Sequence, residues 1–327
     1  MAHTMTPRTP RPLRTVALTL VTVVVVAACA FVAWAWAPDL PVEALAPQWA
    51  PPPSTFVTVE GLRVHLRDEG ARTDPVPVVL LHGTSASLHT WDGWVAALAP
   101  ARRVIRLDLP GFGLSDGFTT GDYGVPHYVA FLRRLLDQLG VSRAIVAGNS
   151  LGGQLAWALA VADSSRVAGL VLVDAAGFPL QSTSVPIGFR LARMPVVNRL
   201  FTRLLPPPVI RSSLENVYGD PSRVTDTLVT RYYALTRRAG NRAAVVQRLG
   251  TRTGAPDPEA LRALRTPALI VWGTRDRLIP PSDAARFAER LAGSRVVLLE
   301  GLGHVPHEED PVRSVAPVLP FVAAITR

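Results

Sequence analysis

The sequence predicts an α/β fold in which helices cover both faces of a mostly parallel, twisted sheet. From residue 54 onward, short β-branched apolar runs alternate with longer amphipathic stretches. Continuous apolar runs are typical of strands buried on both faces, and their alternation with helical patterns favours parallel strands joined by crossovers. One interruption, at residues 177–258, contains helical stretches and no convincing strand. We therefore expect a helical cap inserted before the last two strands.

Composition limits the classes of protein that remain possible. The chain has 327 residues, of which 48% are apolar and 18% charged, so it can bury a core and is not a disordered or collagen-like chain. Its single cysteine, Cys29, excludes a disulfide framework and any metal site built from several cysteines. No recognised nucleic-acid module accompanies the net charge of +9, so we expect no nucleic-acid partner. We also predict no metal ion and no organic cofactor.

The N-terminal region predicts a membrane segment. Residues 1–14 carry Arg8, Arg11 and Arg14, and the uncharged apolar run at residues 15–37 follows. Residues 16–36 of this run would span about 31 Å as a helix at ~1.5 Å per residue, enough for a bilayer core. Because basic residues precede the run, residues 1–14 are predicted to stay cytoplasmic. We expect a single-pass protein of the cell membrane with its folded domain on the extracytoplasmic side.

Two alternatives remain open for this segment, and both also export the domain. Small-x-small triplets at residues 33–35 and 35–37 resemble signal-cleavage sites, which would make the protein secreted. The run VAAC at residues 26–29 resembles a lipobox and would make Cys29 a lipidated N-terminus. Residues 38–53 contain six prolines and are predicted as a semi-rigid linker to a domain at residues 54–327.

The elements of that domain follow in order along the chain. The first two strands, at residues 55–60 and 62–68, alternate around Gly61 like an antiparallel pair. Six further strands are predicted at residues 76–81, 104–107, 144–147, 167–173, 268–272 and 296–299. Helices are predicted at residues 91–99, 128–139, 151–162, 283–291 and 312–325, with cap helices within 185–205 and 222–238.

The run GNSLG at residues 148–152 predicts a nucleophile. It lies directly between a predicted strand and a predicted helix. A turn this tight forces its central residue into a strained conformation, and flanking glycines avoid the resulting clashes. Ser150 would then present its hydroxyl near the positive end of the following helix. We predict that Ser150 is the nucleophile.

A serine hydroxyl needs a base, and the histidines of the chain are the candidates. His304 directly follows a glycine bend in GLGHVPH at residues 301–307, after the last strand, so it is the predicted base. His307 lies one step further, at the next helix start. The other histidines of the domain receive different predicted roles: His82 braces a loop, while His65, His89 and His127 lie on the solvated surface.

An acid is needed to orient the imidazole, and backbone N–H groups to bind developing charge. Asp276 follows the strand before the histidine strand and is the predicted acid, with Asp174, at the end of strand 167–173, as the rival. The run LLHGTS at residues 80–85 ends a central strand, so the N–H groups of Thr84 and Leu151 are the predicted oxyanion pair.

From about residue 54 to 325, the chain resembles the α/β-hydrolase superfamily. The resemblance rests on HG at residues 82–83 with a tryptophan nine residues later, DLPGFGLS at 108–115, GNSLG at 148–152 and GLGHVPHEEDP at 301–311. It implies the α/β-hydrolase fold, and it implies the order nucleophile, acid, base found here as Ser150, Asp276 and His304.

The resemblance leads us to predict a serine hydrolase of carboxylic esters, acting on a small-molecule ester or acyl substrate. With an anchor, the domain looks like membrane-associated esterases and monoacylglycerol lipases. The elbow is also similar to that of C–C hydrolases of ring-fission products, although Val305 stands where those usually carry tryptophan. A non-catalytic binding protein of the same fold is the third alternative. Six apolar cap residues are expected to line an acyl pocket: Phe189, Leu191, Met194, Leu200, Phe201 and Leu204.

Charge is concentrated in the cap. Between Pro179 and Arg252 there are twelve arginines and three acidic residues. Two interpretations stay open: a solvated helical surface, or a basic face that rests on anionic lipid.

Overall fold

The computed structural model describes residues 11–179, 181–250 and 254–325. The eight predicted strands form one sheet in the order β1-β2-β4-β3-β5-β6-β7-β8. The strands are β1 Thr55–Val59, β2 Leu62–Gly70, β3 Val78–Leu81, β4 Arg103–Leu107, β5 Ala144–Asn149, β6 Val167–Val173, β7 Ala268–Gly273 and β8 Arg295–Leu299. The α-helices are α1 Arg11–Ala35, α2 Val42–Trp49, α3 Asp92–Leu98, α4 Val125–Gln138, α5 Leu151–Ala162, α6 Ile187–Arg193, α7 Val197–Phe201, α8 Pro207–Val217, α9 Asp226–Thr236, α10 Asn241–Gly250, α11 Ser282–Ala288, α12 Pro306–Glu309, α13 Pro311–Val315 and α14 Val318–Ile325.

The pairing of the strands decides where a site can form. β2 pairs antiparallel with both β1 and β4, and every later pair in the sheet is parallel. The carboxyl ends of β3, β5, β6, β7 and β8 therefore lie along one edge of the sheet. Ligands bind at this edge in open α/β sheets, because the loops that leave the strands meet there.

Apolar packing covers both faces of the sheet, as predicted. Within β5, Val146 packs into the larger core cluster with α4 and α5, whereas Ile145 packs into a second cluster with α3 and α14. Neighbouring residues of a strand point to opposite faces, so an unbroken apolar strand needs a helix layer on each side. The prediction of the fold class is confirmed.

The cap consists of the five helices α6–α10, between β6 and β7, and the described part of this insertion contains no strand. The predicted helical stretch at 185–205 is divided into α6 and α7. Pro195 explains the break: it disfavours helical geometry in the residue before it, and Met194 is extended with ψ 122°. α9 begins at Asp226, and the side chain of Thr225 accepts the N–H of Leu228 at its start.

The predicted semi-rigid linker at residues 38–53 is wrong for its central part, which forms α2. Val42 and Leu45 are buried against Leu114 and Leu235. The prolines flank a short amphipathic run that can bury an apolar face, and that packing outweighs the low helix propensity of the surrounding sequence.

The residues before α2 are also bound to the cap. The buried guanidinium of Arg242 donates to the carbonyl of Ala37 at 2.6 Å and to the carboxylate of Asp39 at 2.6 Å. The N–H of Leu40 donates to the carbonyl of Arg237 at 2.7 Å. The chain that leaves α1 is therefore joined to the domain at once, with no free spacer between them.

The apolar stretch of α1 that is long enough to cross a membrane is exposed on the surface of the structure. Its portion Arg14–Ala35 has 22 residues, and the 18-residue apolar window within it has a mean hydropathy of 2.8 and no buried residue. By length and composition it is the one helix, within the described ranges, able to cross a membrane.

Candidate active site

The predicted nucleophile lies on a strained turn between β5 and α5. Ser150 has φ 54°, a conformation that side chains rarely adopt. A Cβ on Gly148 would lie 2.2 Å from the backbone of Gly152, and a Cβ on Gly152 would lie 2.0 Å from the carbonyl oxygen of Leu81. Both glycines are thus required by close backbone approach. The N–H of Ser150 donates to Val173 at 3.1 Å, which ties the turn to β6.

The structure brings the predicted base and the predicted acid together. Nδ1 of His304 lies 2.7 Å from Oδ2 of Asp276, and both side chains are buried. Oδ1 of Asp276 accepts the N–H groups of Leu278 at 2.8 Å and Ile279 at 3.0 Å. A carboxylate can only accept, so Nδ1 of His304 carries the proton and Nε2 is left as the acceptor of the neutral ring. His304 lines the same cavity as Ser150.

The rival acid, Asp174, is fully buried beside this pair. Its Oδ1 accepts the N–H of Gly273 at 3.0 Å, and Oδ2 has no partner among the described residues. Burial, together with the neighbouring Asp276 carboxylate, raises the pKa of Asp174 well above its ordinary value. Burial thus favours the neutral form of Asp174, and the carboxyl group that contacts Nδ1 of His304 is that of Asp276.

A metal site is the other use that such a cluster can have. Asp174, Asp276 and His304 can each offer one ligand atom, all within 4.8 Å of one another. Both oxygens of Asp276 already face N–H donors, however, and burial favours the protonated form of Asp174. Metal ligands must be deprotonated, so this donor set fits a hydrogen-bonded histidine better than a cation.

The loop after β3 places the first predicted oxyanion donor. His82 braces this loop as predicted: Nδ1 donates to the carbonyl of Gly83 at 2.7 Å, and Nε2 accepts the N–H of Leu109 at 2.9 Å. Burial lowers the pKa of His82, which keeps the ring neutral for both bonds. Thr84 follows and lines the cavities at Ser150. The second predicted donor, Leu151, is the first residue of α5, so its N–H has no acceptor within the helix.

Two side chains hold the histidine loop, and sequence reasoning assigned a role to neither of them. Nδ2 of Asn149 donates to the carbonyl of His304 at 2.8 Å, which links the elbow directly to the loop. The carboxylate of Glu309 accepts the N–H groups of Gly303 at 2.8 Å and Gly219 at 2.9 Å, which links the loop to the cap. The backbone of His304 is thus positioned from both sides.

The prediction that His65 and His89 lie on the solvated surface is wrong. Nδ1 of His65 lies 2.7 Å from Oδ2 of Asp108, both fully buried, and Nε2 of His89 lies 2.8 Å from the carbonyl of Trp49. Burial lowers the pKa of His89 to about 4. β2 is not an edge strand, because β1 and β4 flank it, and α2 covers the loop that holds His89. The side chain of His127 is partly exposed, which agrees better with the predicted surface position.

An apolar cavity of about 100 Å³ opens at Ser150 and His304, and we call it the apolar chamber. Of the six cap residues expected to line it, only Phe189 and Phe201 do so. The prediction is wrong for Leu191, Met194, Leu200 and Leu204, which do not line it; Met194 and Leu200 are 48% and 55% exposed. Other apolar lining comes from Val209, Leu214, Val217 and Val245.

A second cavity of about 640 Å³ also reaches Ser150, and we call it the arginine chamber. Its wall includes Thr84 and Leu151 together with Gln154, Arg193 and Arg248. Sequence reasoning missed Arg248, although a signal was present. The residue is three and four positions after Val245 and Ala244, so it falls on the buried face of α10.

Comparison with known families identifies the fold. Residues 76–311 match a family model described as alpha/beta hydrolase fold. The chain belongs to the α/β-hydrolase family. Among its relatives is an uncharacterised protein of Mycobacterium tuberculosis, 32% identical over 285 residues and covering 81% of this chain and 80% of that one.

This α/β hydrolase is also similar to proteins whose names state an activity. The 2-hydroxymuconate semialdehyde hydrolase of Pseudomonas sp. strain CF600 is 30% identical over 287 residues, covering 85% of this chain and 96% of the relative. A solved meta-cleavage product hydrolase of Pseudomonas fluorescens IP01 has TM-score 0.72 and 25% identity, covering 83% and 97%. A solved membrane phospholipase A shares the fold over 97% of this chain and 99% of its own, with TM-score 0.72 and 24% identity.

Proposed function

We propose that this α/β hydrolase is a serine hydrolase that cleaves carboxylic esters through an acyl-enzyme on Ser150. One observation carries the proposal: His304, held by Asp276 at 2.7 Å, lines the same cavity as Ser150, which lies on a strained turn. A serine on such a turn, with an oriented neutral imidazole nearby, is the arrangement that acyl transfer needs.

The proposed reaction has two stages. Oγ of Ser150 attacks the ester carbonyl while Nε2 of His304 takes the hydroxyl proton, and the N–H groups of Thr84 and Leu151 bind the oxyanion. The protonated His304, stabilised by Asp276, gives its proton to the leaving alkoxide as the ester C–O bond breaks. Water then attacks the acyl-enzyme with His304 again as base, which releases the carboxylic acid and restores Ser150.

A C–C bond hydrolase of ring-fission products is the second candidate. It is favoured by the 30% identical relative named as a 2-hydroxymuconate semialdehyde hydrolase and by the GNSLGG elbow at residues 148–153. The same serine, histidine and aspartate would serve it. Val305, where such enzymes usually carry tryptophan, favours the ester reaction.

A substrate panel on the full-length protein in detergent distinguishes the candidates. We expect turnover of p-nitrophenyl esters and monoglycerides, with kcat/KM rising with acyl length until the apolar chamber is filled and falling beyond it. Little turnover of a vinylogous diketone acid is expected. The opposite pattern would assign the C–C reaction. Failure of Ser150 to react with a fluorophosphonate probe, together with no turnover at all, would leave the third alternative, a non-catalytic binding protein.

We further propose that α1 anchors the enzyme in the cell membrane with the domain on the extracytoplasmic side. The supporting observations are the exposed apolar length of α1 and the arginines before it. We expect the full-length protein in a carbonate-washed membrane pellet, with the domain open to protease added outside. Release into the medium would instead indicate signal cleavage. If the Cys29→Ser variant leaves the membrane pellet and lacks the added mass of a lipid found on the wild type, the protein is a lipoprotein.

A further inference from the structure

The arginine chamber contains a buried cation with an unusual environment. Arg248 is 8% exposed and lines the cavity that also reaches Ser150. Among the described residues, its side-chain hydrogen-bond partner is neutral: its Nη2 donates to Oε1 of Gln154 at 3.2 Å. Its Nε is buried without an acceptor among the described residues. Gln154 lies one helical turn after Leu151, which places this pair close to the predicted oxyanion donors.

The charge of Arg248 is not neutralised within the described part of the chain. No described aspartate or glutamate lies within 4.0 Å of its guanidinium, and the residues outside the described ranges include no aspartate or glutamate. Asp257 also lines the chamber, but its Oδ1 accepts the N–H of Glu259. Arg193 adds a second positive charge to the wall. Burial lowers the pKa of Arg248, yet a guanidinium stays charged at neutral pH.

An unpaired buried charge is costly, and a protein keeps one where a ligand supplies the counter-charge. A guanidinium offers planar, bidentate donors that match a carboxylate or a phosphate. The chamber is open to Ser150, so an anion at Arg248 can belong to the molecule whose carbonyl reacts there.

We propose that the arginine chamber is an anion-binding subsite in which Arg248, supported by Gln154, binds a carboxylate or phosphate group of the substrate. The hydrocarbon part of the same molecule occupies the apolar chamber, since the two cavities meet at Ser150 and Thr84. The substrate class is thus an amphiphilic, anionic ester. This proposal rests on the proposed function in one respect only, namely that the reacting carbonyl group lies at Ser150.

Two pairs of esters, matched except for charge, test this subsite by activity on the full-length protein. One pair is 4-carboxyphenyl butyrate and its methyl ester, and the other is p-nitrophenyl hemiglutarate and p-nitrophenyl pentanoate. In Arg248→Met, kcat/KM for the anionic member of at least one pair is expected to fall about 10- to 100-fold, mainly through KM, because charge-assisted hydrogen bonds are lost. For the neutral member of each pair, kcat/KM should change little, and this unchanged activity also shows that the variant is folded.

Two further variants control for charge. Arg248→Lys restores the cation and should recover part of the preference for the anionic member. Arg199→Met removes an exposed cap arginine that lines neither chamber, and should leave the preference as in the wild type. An unchanged preference in Arg248→Met, or an equal loss in Arg199→Met, overturns the subsite.

A binding measurement separates this proposal from the proposed function. Ser150→Ala protein is titrated calorimetrically with benzoate, glycerol 3-phosphate and inorganic phosphate, with and without Arg248→Met. Binding that Arg248→Met abolishes supports the subsite even if no ester is hydrolysed, and the preferred anion identifies carboxylate, lipid headgroup or free phosphate as the source. No binding of any of the three at millimolar concentration overturns it, whatever the esterase result.

Discussion

Replacing Ser150 by alanine is expected to lower kcat for a short p-nitrophenyl ester by about 10⁵- to 10⁶-fold while the protein stays folded. The substitution removes the only atom that the proposed mechanism acylates, so His304 and Asp276 have no proton to move. The turn itself depends on the two close-packed glycines, and alanine keeps the Cβ of serine in its strained position. Steady-state kinetics and the thermal unfolding midpoint, measured on the same preparation, give both results.

Ser165→Ala is the matched control for this prediction. Its hydroxyl contacts Asp163 on the exposed end of α5 and lines neither chamber, so activity should equal that of the wild type. Comparable turnover in Ser150→Ala would end the acyl-enzyme mechanism. A covalent adduct with a fluorophosphonate at another serine would show which residue replaces it.

Asp276→Asn is expected to lower kcat by about 10⁴-fold. An asparagine in this position can present its amide N–H toward the ring, which favours the tautomer with the proton on Nε2, and then Nε2 cannot accept the serine proton. Asparagine also lacks the charge that stabilises protonated His304. The measurement is kcat on the same ester, with thermal unfolding to report the fold.

Asp174→Asn provides the comparison, because the two aspartates are neighbours and Asp276 is the one hydrogen-bonded to the ring of His304. Burial favours the neutral form of Asp174, which an amide resembles in shape and charge, so we expect a change in kcat of less than about 10-fold. A severe loss in Asp174→Asn with a mild loss in Asp276→Asn would reassign the acid to the end of β6.

Much of the fold could be predicted because its signals are local. Alternating residues identified the first two strands and unbroken apolar runs the other six, while the switch to helical periodicity identified the cap. The boundaries of the cap helices were less accurate because Pro195 and the side chain of Thr225 end or start helices at single residues.

Predictions failed where burial depends on packing between segments far apart in the chain. Residues 38–53 have the composition of a spacer, yet α2 buries Val42 and Leu45 against a distant loop and a cap helix. His65 alternates with apolar residues like a surface histidine, yet it is paired with Asp108, which lies 43 positions away. In both cases, the covering element comes from elsewhere in the chain.

By itself, the sequence determined the candidate catalytic residues and their order along the chain. A serine on a glycine-flanked turn comes first, then an aspartate, then a histidine, each in a loop that follows a strand. These are local properties of residue type and spacing. Tertiary structure alone decided that Asp276, rather than Asp174, contacts the ring of His304, and that Arg248 lies buried at the cavity of Ser150. Both outcomes depend on desolvation and on the distance between charged groups, and those quantities exist only once distant segments have packed together.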